Sequence, residues 1–404
     1  MKSYFKKNFF LKKKKKINIG DKSMSHRSIL YSLINKKIIE IFNLLESNDV
    51  IFTINLCKNL SVNIYGPINN YLVINFLKKK NIINKINFIG NSGTTIRLSL
   101  SLILNNSFII GDKSLNKRTM YRVIKPLCLI GYIIQCKKNF FTPIIIFKKN
   151  NFGLKYNLIN ISSQIKSCLI LNSINSFIKI YIKEKKNTRD HTERKIINIK
   201  NKNNIFIPND FSSISFIINY LIINKKILIL NFNFNKFRIG YFDFLIKCGI
   251  KIYFFKKIII NNEHNVKIIL LKLKLKNNVI FSNIISRMID EIPLLLIFLI
   301  NYKKITKIYG LEELKYKESN RFINMYNNLL LLGIKIIIKK NYLILKGGIF
   351  HNNFIFSKND HRLFMSFYIC KKELKISNLE NILSSFPNFI FIFNNKKNSF
   401  YVYK

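Results

Sequence analysis

Gly20-Asp21-Lys22-Ser23-Met24-Ser25-His26-Arg27 is the stretch from which the fold of this 404-residue chain is read. A glycine leads into a lysine, two serines and an arginine, and an apolar-periodic run follows at Met24, Ile29, Leu30, Leu33 and Ile34. The pattern predicts a loop opening a helix, capped by Ser23 or Ser25 and running to about Ile41. The first backbone N–H groups of a helix lack internal partners and carry partial positive charge. Lys22 and Arg27 beside that end make an anion site. An ordinary capped helix with two surface cations is the plain alternative, and the rest of the chain decides against it.

The same unit recurs further along. Residues 90–97, Gly-Asn-Ser-Gly-Thr-Thr-Ile-Arg, open onto an apolar run with Arg97 in the first turn. Residues 111–118, Gly-Asp-Lys-Ser-Leu-Asn-Lys-Arg, echo 20–27 and suggest an internal repeat spaced by about 90 residues, longer than solenoid periods. Residues 161–167, Ile-Ser-Ser-Gln-Ile-Lys-Ser, offer Ser162 or Ser163 as a cap, with Lys166 nearby. Residues 188–194 form a dense polar island, and Asp210 is the expected cap of the helix after Pro208. Leu228–Phe234 alternates as a strand does, and Lys251–Ile260 with Val266–Lys276 read as paired strands. Asp290-Glu291-Ile292-Pro293 sits at a helix start, where carboxylates and proline belong. Lys317 and Arg321 share a face if both are helical, and Asp360-His361-Arg362 begins another helix. Short strands alternating with helices make this an α/β or α+β chain.

Composition points two ways. Lys+Arg is 69 against Asp+Glu 19, a net charge of +50, which suggests a nucleic-acid binder. The chain has no alanine and no tryptophan, however, and lysine, isoleucine, asparagine and phenylalanine dominate. Their codons are rich in A and T, so an AT-rich genome explains the lysines, which are spread over the whole length. Drift of that kind favours lysine over arginine. Arg27, Arg97, Arg118, Arg321 and Arg362 have kept the side chain suited to bidentate binding of carboxylate or phosphate, and they read as a cluster for a multiply anionic small molecule.

Six scattered cysteines without a C-x-x-C motif read as free thiols in a reducing compartment. No histidine pair has metal-ligand spacing, so His26, His191 and His361 read as structural hydrogen-bonding groups. The longest apolar run, Leu294–Ile300, is too short to span a membrane, and Phe9-Phe10-Leu11 is too short for a signal peptide. The expectation is a soluble cytoplasmic protein. Among the scarce acids, Asp290 and Glu318 stand out as candidates for proton transfer among bound anions. A core without alanine is expected to pack poorly where helices need small residues.

Taken together, GDKSMSHR, GNSGTTIR, GDKSLNKR, SSQIKS, TRDHTER, PNDFSS, DEIP, GLEELKYKESNR, DHRLFMS and SFPNF run from residue 20 to 389. In content and order they resemble the 5-enolpyruvylshikimate-3-phosphate synthase family of enolpyruvyl transferases. Lys22-Ser23, where the UDP-sugar-using cousins have Lys-Asn, favours the shikimate enzymes, as do TRDHTER and KESNR.

The resemblance implies a two-domain inside-out α/β barrel, each domain three repeats of a strand-helix unit, with the active site in the interdomain cleft. One domain is expected over 18–234 and the other over 1–17 plus 235–404. The implied reaction joins phosphoenolpyruvate to the 5-hydroxyl of shikimate 3-phosphate by addition and elimination, with no metal and no organic cofactor. It also implies a cytoplasmic monomer with small-molecule partners only, neither nucleic acid nor membrane.

Carried over by position, Lys22, Ser23, Arg27, Ser162, Ser163, Gln164, Arg189, Asp290 and Lys317 are expected to bind shikimate 3-phosphate. Lys22, Asn91, Gly93, Arg97, Arg118, Gln164, Arg321 and Arg362 are expected around phosphoenolpyruvate. Asp290, Glu318 and Lys22 are the implied catalytic residues. The chain departs from the family at Lys315, Asn320 and Leu98. Asn209 stands for a glycine, with strain expected there, and Ser384 stands where some members have a phosphoenolpyruvate-binding lysine. Gly93 is where some herbicide-tolerant members carry alanine, so glyphosate is expected to bind. A nucleic-acid module and a noncatalytic relative are the rival readings.

Overall fold

Lys22–Asn35 forms the expected helix, but its cap is Asp21 rather than a serine: Met24 N donates to Asp21 Oδ1 at 2.9 Å. The helix ends at Asn35, not near Ile41. Lys36 takes a left-handed conformation (φ 49°), and the β-branched stretch beyond it becomes the strand Ile39–Phe42. The computed structural model describes residues 19–60, 62–76, 86–103, 106–158, 162–184, 188–194, 203–223, 229–261, 263–271, 279–280, 282–301, 305–316, 319–339, 342–348, 354–370 and 374–394. The lysine-rich start, residues 1–17, lies outside them, as do Lys317 and Glu318.

Met24 to Ser32 are all buried, so this helix is enclosed on every side. The same holds for Phe211–Asn219 and for Glu291–Ile300. Where alanine would let such helices approach, the chain uses serine. Ser25, Ser28, Ser99, Ser215 and Ser366 are wholly buried. Each hydroxyl donates to the carbonyl four residues back, at 2.7–2.9 Å. A hydroxyl satisfied within its own helix costs little to bury. These serines put small side chains inside the enclosed helices with their hydroxyls satisfied.

Sheets cover the helices. In the first lobe, one sheet has the strand order 204–206, 39–42, 71–75, 63–68, a second 86–88, 107–110, 141–149, 132–137, and a parallel pair joins 154–158 to 180–184. The second lobe repeats the scheme. It has the order 229–233, 263–271, 251–260, then 279–280, 306–309, 342–346, 335–338, then a parallel pair of 354–355 with 375–376. Lys251–Ile260 pairs antiparallel with Glu263–Leu271, as their alternation suggests. Strand burial alternates, one face on the core and one towards solvent, as in Tyr71–Asn75 and Tyr342–Lys346.

Apolar residues from Met24 to Ile207 fill two contiguous cores of the first lobe, and a third core joins Ile19 to residues 211–393. The helix Phe211–Ile223, on the first-domain side of the limit expected at 234, packs in this last core. The chain passes between lobes twice, side by side. Asp21 N donates to Pro208 O and Asp210 N to Ile19 O, each at 2.8 Å, and Gly20 pairs with Asn209.

Gly20 has no room for a side chain. A Cβ there would overlap the Asn43 carbonyl oxygen and lie 2.9 Å from Leu45 N, both backbone atoms. Gly20→Ala is expected to cost roughly 2–3 kcal/mol in urea unfolding, in the upper range of overpacking penalties. Gly153→Ala, whose Cβ meets nothing nearer than Lys179 O at 3.4 Å, is the matched control expected to change little.

Candidate active site

Between the lobes lies a cleft of about 510 Å³ into which several helix starts point. From the first lobe come Lys22, Ser23 and Arg27 on the first helix, Thr94 and Arg97 on Gly93–Ser99, Arg118, and Ser162, Ser163 and Gln164 at the start of Ser163–Ser176. From the second come Ser212 and Ser213, Asp290, Lys315 and Arg362.

Arg27 is buried, and its donors reach only neutral acceptors: Thr192 Oγ1 at 2.8 Å, Ser167 Oγ at 2.9 Å and Ser23 O at 3.0 Å. Burial lowers its pKa to about 10, against the opposing pull of the Asp21 carboxylate. A bound anion would supply the missing charge. Lys22 Nζ pairs with Asp49 Oδ2, in the first turn of the next helix, Asn48–Asn59. Ser162 occupies the N-cap position, yet its hydroxyl makes no capping bond and is left to the cleft.

Arg97 Nη1 donates to Gln164 Oε1 at 3.2 Å, and Arg118 Nη2 to Asn91 Oδ1 at 2.7 Å. Asn91 therefore steadies an arginine, while Gly93 lies behind both guanidiniums. The echo between 20–27 and 111–118 is structural: Asp112 Oδ1 accepts from Leu115 N at 2.7 Å, as Asp21 does from Met24 N. In the second copy only a 3-10 turn follows, Leu115–Lys117, and Arg118 leaves it in an extended conformation.

Asp290, ahead of the helix Ile292–Asn301, faces three arginines. Arg189 Nη2 donates to its Oδ2 at 2.9 Å, Arg321 Nη1 lies 3.7 Å from Oδ1 and Arg362 Nη2 3.9 Å from Oδ2. Arg189 belongs to the first lobe and Asp290 to the second, so this pair closes the cleft. Arg321 is fully buried and does not line the cleft; Asp360, the cap of helix His361–Cys370, holds its Nε at 2.7 Å. Asp290 has a buried neighbour in Glu291, which accepts from Ser212 Oγ at 2.5 Å. Burial raises the Glu291 pKa, while Arg362 pulls it down and Asp290 pushes it up.

Some expectations need correction. Lys166 is no ligand cation: its ammonium is held by Glu184 and Glu193 at 2.8 and 2.7 Å. Asn209 is not strained, because it pairs as extended chain with Gly20 and its Oδ1 accepts from Ile19 N at 3.3 Å. The helix of Arg321 begins at Arg321 itself, capped by Asn320, later than the expected start at residue 315. Ser384 turns from the cleft, donating to Asn381 O at 2.7 Å with His361 Nδ1 at 3.4 Å. The histidines are hydrogen-bonded as expected. His26 Nδ1 lies 2.6 Å from Thr53 Oγ1, and burial with Lys22 and Arg27 keeps its pKa well below the usual value.

Sequence reasoning missed Arg238 and Arg287, although the signal was present. The chain has ten arginines among its 69 basic residues. Eight of the ten, Arg27, Arg97, Arg118, Arg122, Arg189, Arg238, Arg287 and Arg362, line this cleft. Of the other two, Arg321 reaches Asp290 from behind and Arg194 pairs with Asp190. Among the described residues lysine, far more abundant, contributes only Lys22, Lys117 and Lys315.

Comparison with known proteins places the chain in a family. A sequence profile described as EPSP synthase (3-phosphoshikimate 1-carboxyvinyltransferase) matches residues 12–200 and 195–392. The 3-phosphoshikimate 1-carboxyvinyltransferase of Thermoanaerobacter sp. (strain X514) is 34% identical over 398 residues, covering 92% of this chain and 94% of its own length. That of Clostridium tetani (strain Massachusetts / E88) is 33% identical over 403 residues, covering 91% of each. A solved EPSP synthase from Acinetobacter baumannii superposes with a TM-score of 0.77 at 29% identity, covering 94% of this chain and 95% of that one.

The island at 188–194 binds the second lobe through a buried pair that responds to acid. His191 Nδ1 lies 2.8 Å from Glu263 Oε1, and Asn233 Nδ2 donates to Oε2 at 3.0 Å. Burial opposes the Glu263 charge, but His191 and these hydrogen bonds outweigh it and bring the pKa from 4.5 to about 2. A carboxyl depressed on folding stabilises the fold above its ordinary pKa, and that contribution is lost as pH falls from about 4.5 through 2. Urea unfolding over that range is expected to show the parent losing on the order of 3 kcal/mol more than Glu263→Gln. Parallel acid profiles would contradict this.

Proposed function

The chain belongs to the EPSP synthase family, and we propose that the interlobe cleft is where it carries out that family's reaction. It transfers the enolpyruvyl group of phosphoenolpyruvate to the 5-hydroxyl of shikimate 3-phosphate, a step of the shikimate pathway towards aromatic amino acids. The new carbon–oxygen bond forms as the methylene carbon gains a proton. The resulting tetrahedral ketal then loses that proton and expels phosphate. Two phosphates and two carboxylates must be held together while protons move, which is work for cations, positioning and water exclusion.

In this reading shikimate 3-phosphate rests on the first lobe, with Arg27, Ser23 and the uncapped start at Ser162, Ser163 and Gln164, and with Arg189 at its edge. Phosphoenolpyruvate lies between Lys22, Arg97 and Arg118 on one side and Arg362 on the other, with Gln164 between the two substrates. Arg321 acts from behind Asp290. Asp290 accepts the hydroxyl proton, and Glu318 and Lys317 are assigned by position in the sequence alone. The single observation that carries the assignment is Asp290 among Arg189, Arg321 and Arg362, a carboxylate fixed where three cations converge. We further propose a monomer acting in the cytoplasm, since one chain supplies both walls of the cleft. No helix among the described residues is long and apolar enough to cross a membrane.

Phosphate release from the purified protein given both substrates tests the reading. The parent is expected to turn over and Asp290→Asn to lose roughly 10²–10⁴-fold in kcat, the range for a lost acid–base group. A folded parent that releases no phosphate would defeat it. At Gly93 an added Cβ would stand 3.1 Å from Arg97 Nη1 and 3.4 Å from Arg118 Nη1. Gly93→Ala is therefore expected to raise the KM for phosphoenolpyruvate by roughly tenfold, the scale of one displaced charge-assisted contact. The parent is expected to be inhibited by glyphosate and the variant much less so.

A further inference from the structure

Arg238 is buried where the chain passes between the lobes, and it also touches the cleft. Its Nη1 binds Asp21 Oδ2 and its Nη2 binds Asp210 Oδ1. These are the N-cap residues of the first helix of one lobe, Lys22–Asn35, and of Phe211–Ile223 in the other. Each aspartate divides its oxygens. Asp21 Oδ1 takes Met24 N, and Asp210 Oδ2 takes Ser213 N, both at 2.9 Å, which leaves one oxygen apiece for the guanidinium.

From there contacts continue into the site. Arg238 Nη2 also donates to Ser212 Oγ at 3.1 Å, and Ser212 Oγ donates to Glu291 Oε1 at 2.5 Å. Glu291 Oε1 lies 3.9 Å from Arg362 Nη1 and adjoins Asp290 in the chain. Lys22 directly follows Asp21. One side chain thus stands between Lys22 on the first lobe and the Asp290–Arg362 group on the second. We propose that Arg238 is a positioning residue for the transfer reaction, fixing the spacing of these two halves of the site across the closed cleft.

Two features favour that role over plain structural charge neutralisation. The guanidinium reaches the two lobes through separate nitrogens, Nη1 to Asp21 and Nη2 to Asp210 and Ser212, a spread that the single nitrogen of a lysine lacks. Arginine has also been kept here in a chain where lysine prevails and where eight of ten arginines line the cleft. The inference rests on the reading of Lys22 and Asp290 as opposing halves of one site. That reading stands or falls with phosphate release by the parent, so the two failures are distinguishable.

The test compares Arg238→Lys and Ser212→Ala with the parent. It measures kcat, both KM values, and calorimetric binding of shikimate 3-phosphate alone. That ligand's contacts are placed mostly on the first lobe, so its affinity is expected to be unchanged. For Arg238→Lys, kcat/KM for phosphoenolpyruvate is expected to fall by roughly 10²-fold, as for an ångström-scale misplacement. Ser212→Ala leaves both ion pairs in place and is expected to lose roughly tenfold, the value of one hydrogen bond to a charged group. A folded Arg238→Lys enzyme with parental kinetics overturns the proposal. So does a loss of shikimate 3-phosphate affinity equal to the loss in turnover, which marks general loosening. Should Arg238→Lys not fold, Ser212→Ala decides: parental kcat/KM overturns the proposal, and selective loss against phosphoenolpyruvate supports it.

Discussion

Helices enclosed on every side cannot meet unless small residues lie where their backbones cross. The interior of this protein consists of such helices, Lys22–Asn35, Phe211–Ile223 and Ile292–Asn301 among them, and the chain holds no alanine. Serine fills the gap. Its side chain adds one polar atom, which binds the carbonyl four residues earlier and so needs nothing from the facing helix. Serine ranks below alanine in helix propensity, but the difference is a few tenths of a kcal/mol per residue, and tertiary packing outweighs it. The architecture therefore survives a composition that would otherwise leave its centre overfilled.

The buried helices also fix the chemistry. Enclosure means that a helix can present ligand groups only at its end, and several of these ends meet at the cleft. There the first-turn N–H groups, serine hydroxyls and arginines add to one positive field. Such a field needs internal anions to hold it in shape. Asp21 and Asp210 cap helices while sharing Arg238, Asp49 steadies Lys22, and Asp360 holds Arg321. Burial pushes the Asp21 carboxyl up, and the charge of Asp210 adds to that. Asp210 itself, though also buried, is held down to about 2, chiefly by Arg238.

Local features of the fold and site were legible because they are set by neighbours in sequence. Helix starts at Asp210, Pro293 and Asp360 and the paired strands from Lys251 follow from capping chemistry and alternation. Those of Lys22, Arg27, Arg97, Arg118, Gln164 and Arg362 that reach the cleft sit at or beside such helix starts. What stayed hidden was non-local. Lys166 reads like its neighbours in the motif, yet Glu184 and Glu193, far off in sequence, take its charge. Asn209 looked like a strained substitute for glycine until its pairing with Gly20 fixed it as extended chain. The cap at Asp21 was local and readable, since aspartate is a common cap and its Oδ1 takes Met24 N; what stayed hidden was its other oxygen's partner, Arg238. The 1–17 segment, Lys317 and Glu318 lie outside the described residues.

The net charge of +50 and the balanced interior follow from where charge is tolerated. On exposed strands and loops a lysine costs little because solvent screens it. Buried positions resist, since a buried charge without its partner is heavily destabilising. The scarce carboxylates accordingly concentrate where cations are enclosed: Glu263 against His191, Asp290 against Arg189, Asp360 against Arg321, Asp21 and Asp210 against Arg238. Arginine is retained on the same ground, because its rigid fork reaches acceptors through separate nitrogens and lysine has only one. In a chain so biased, the rare residue types mark the places where geometry, and not composition, made the choice.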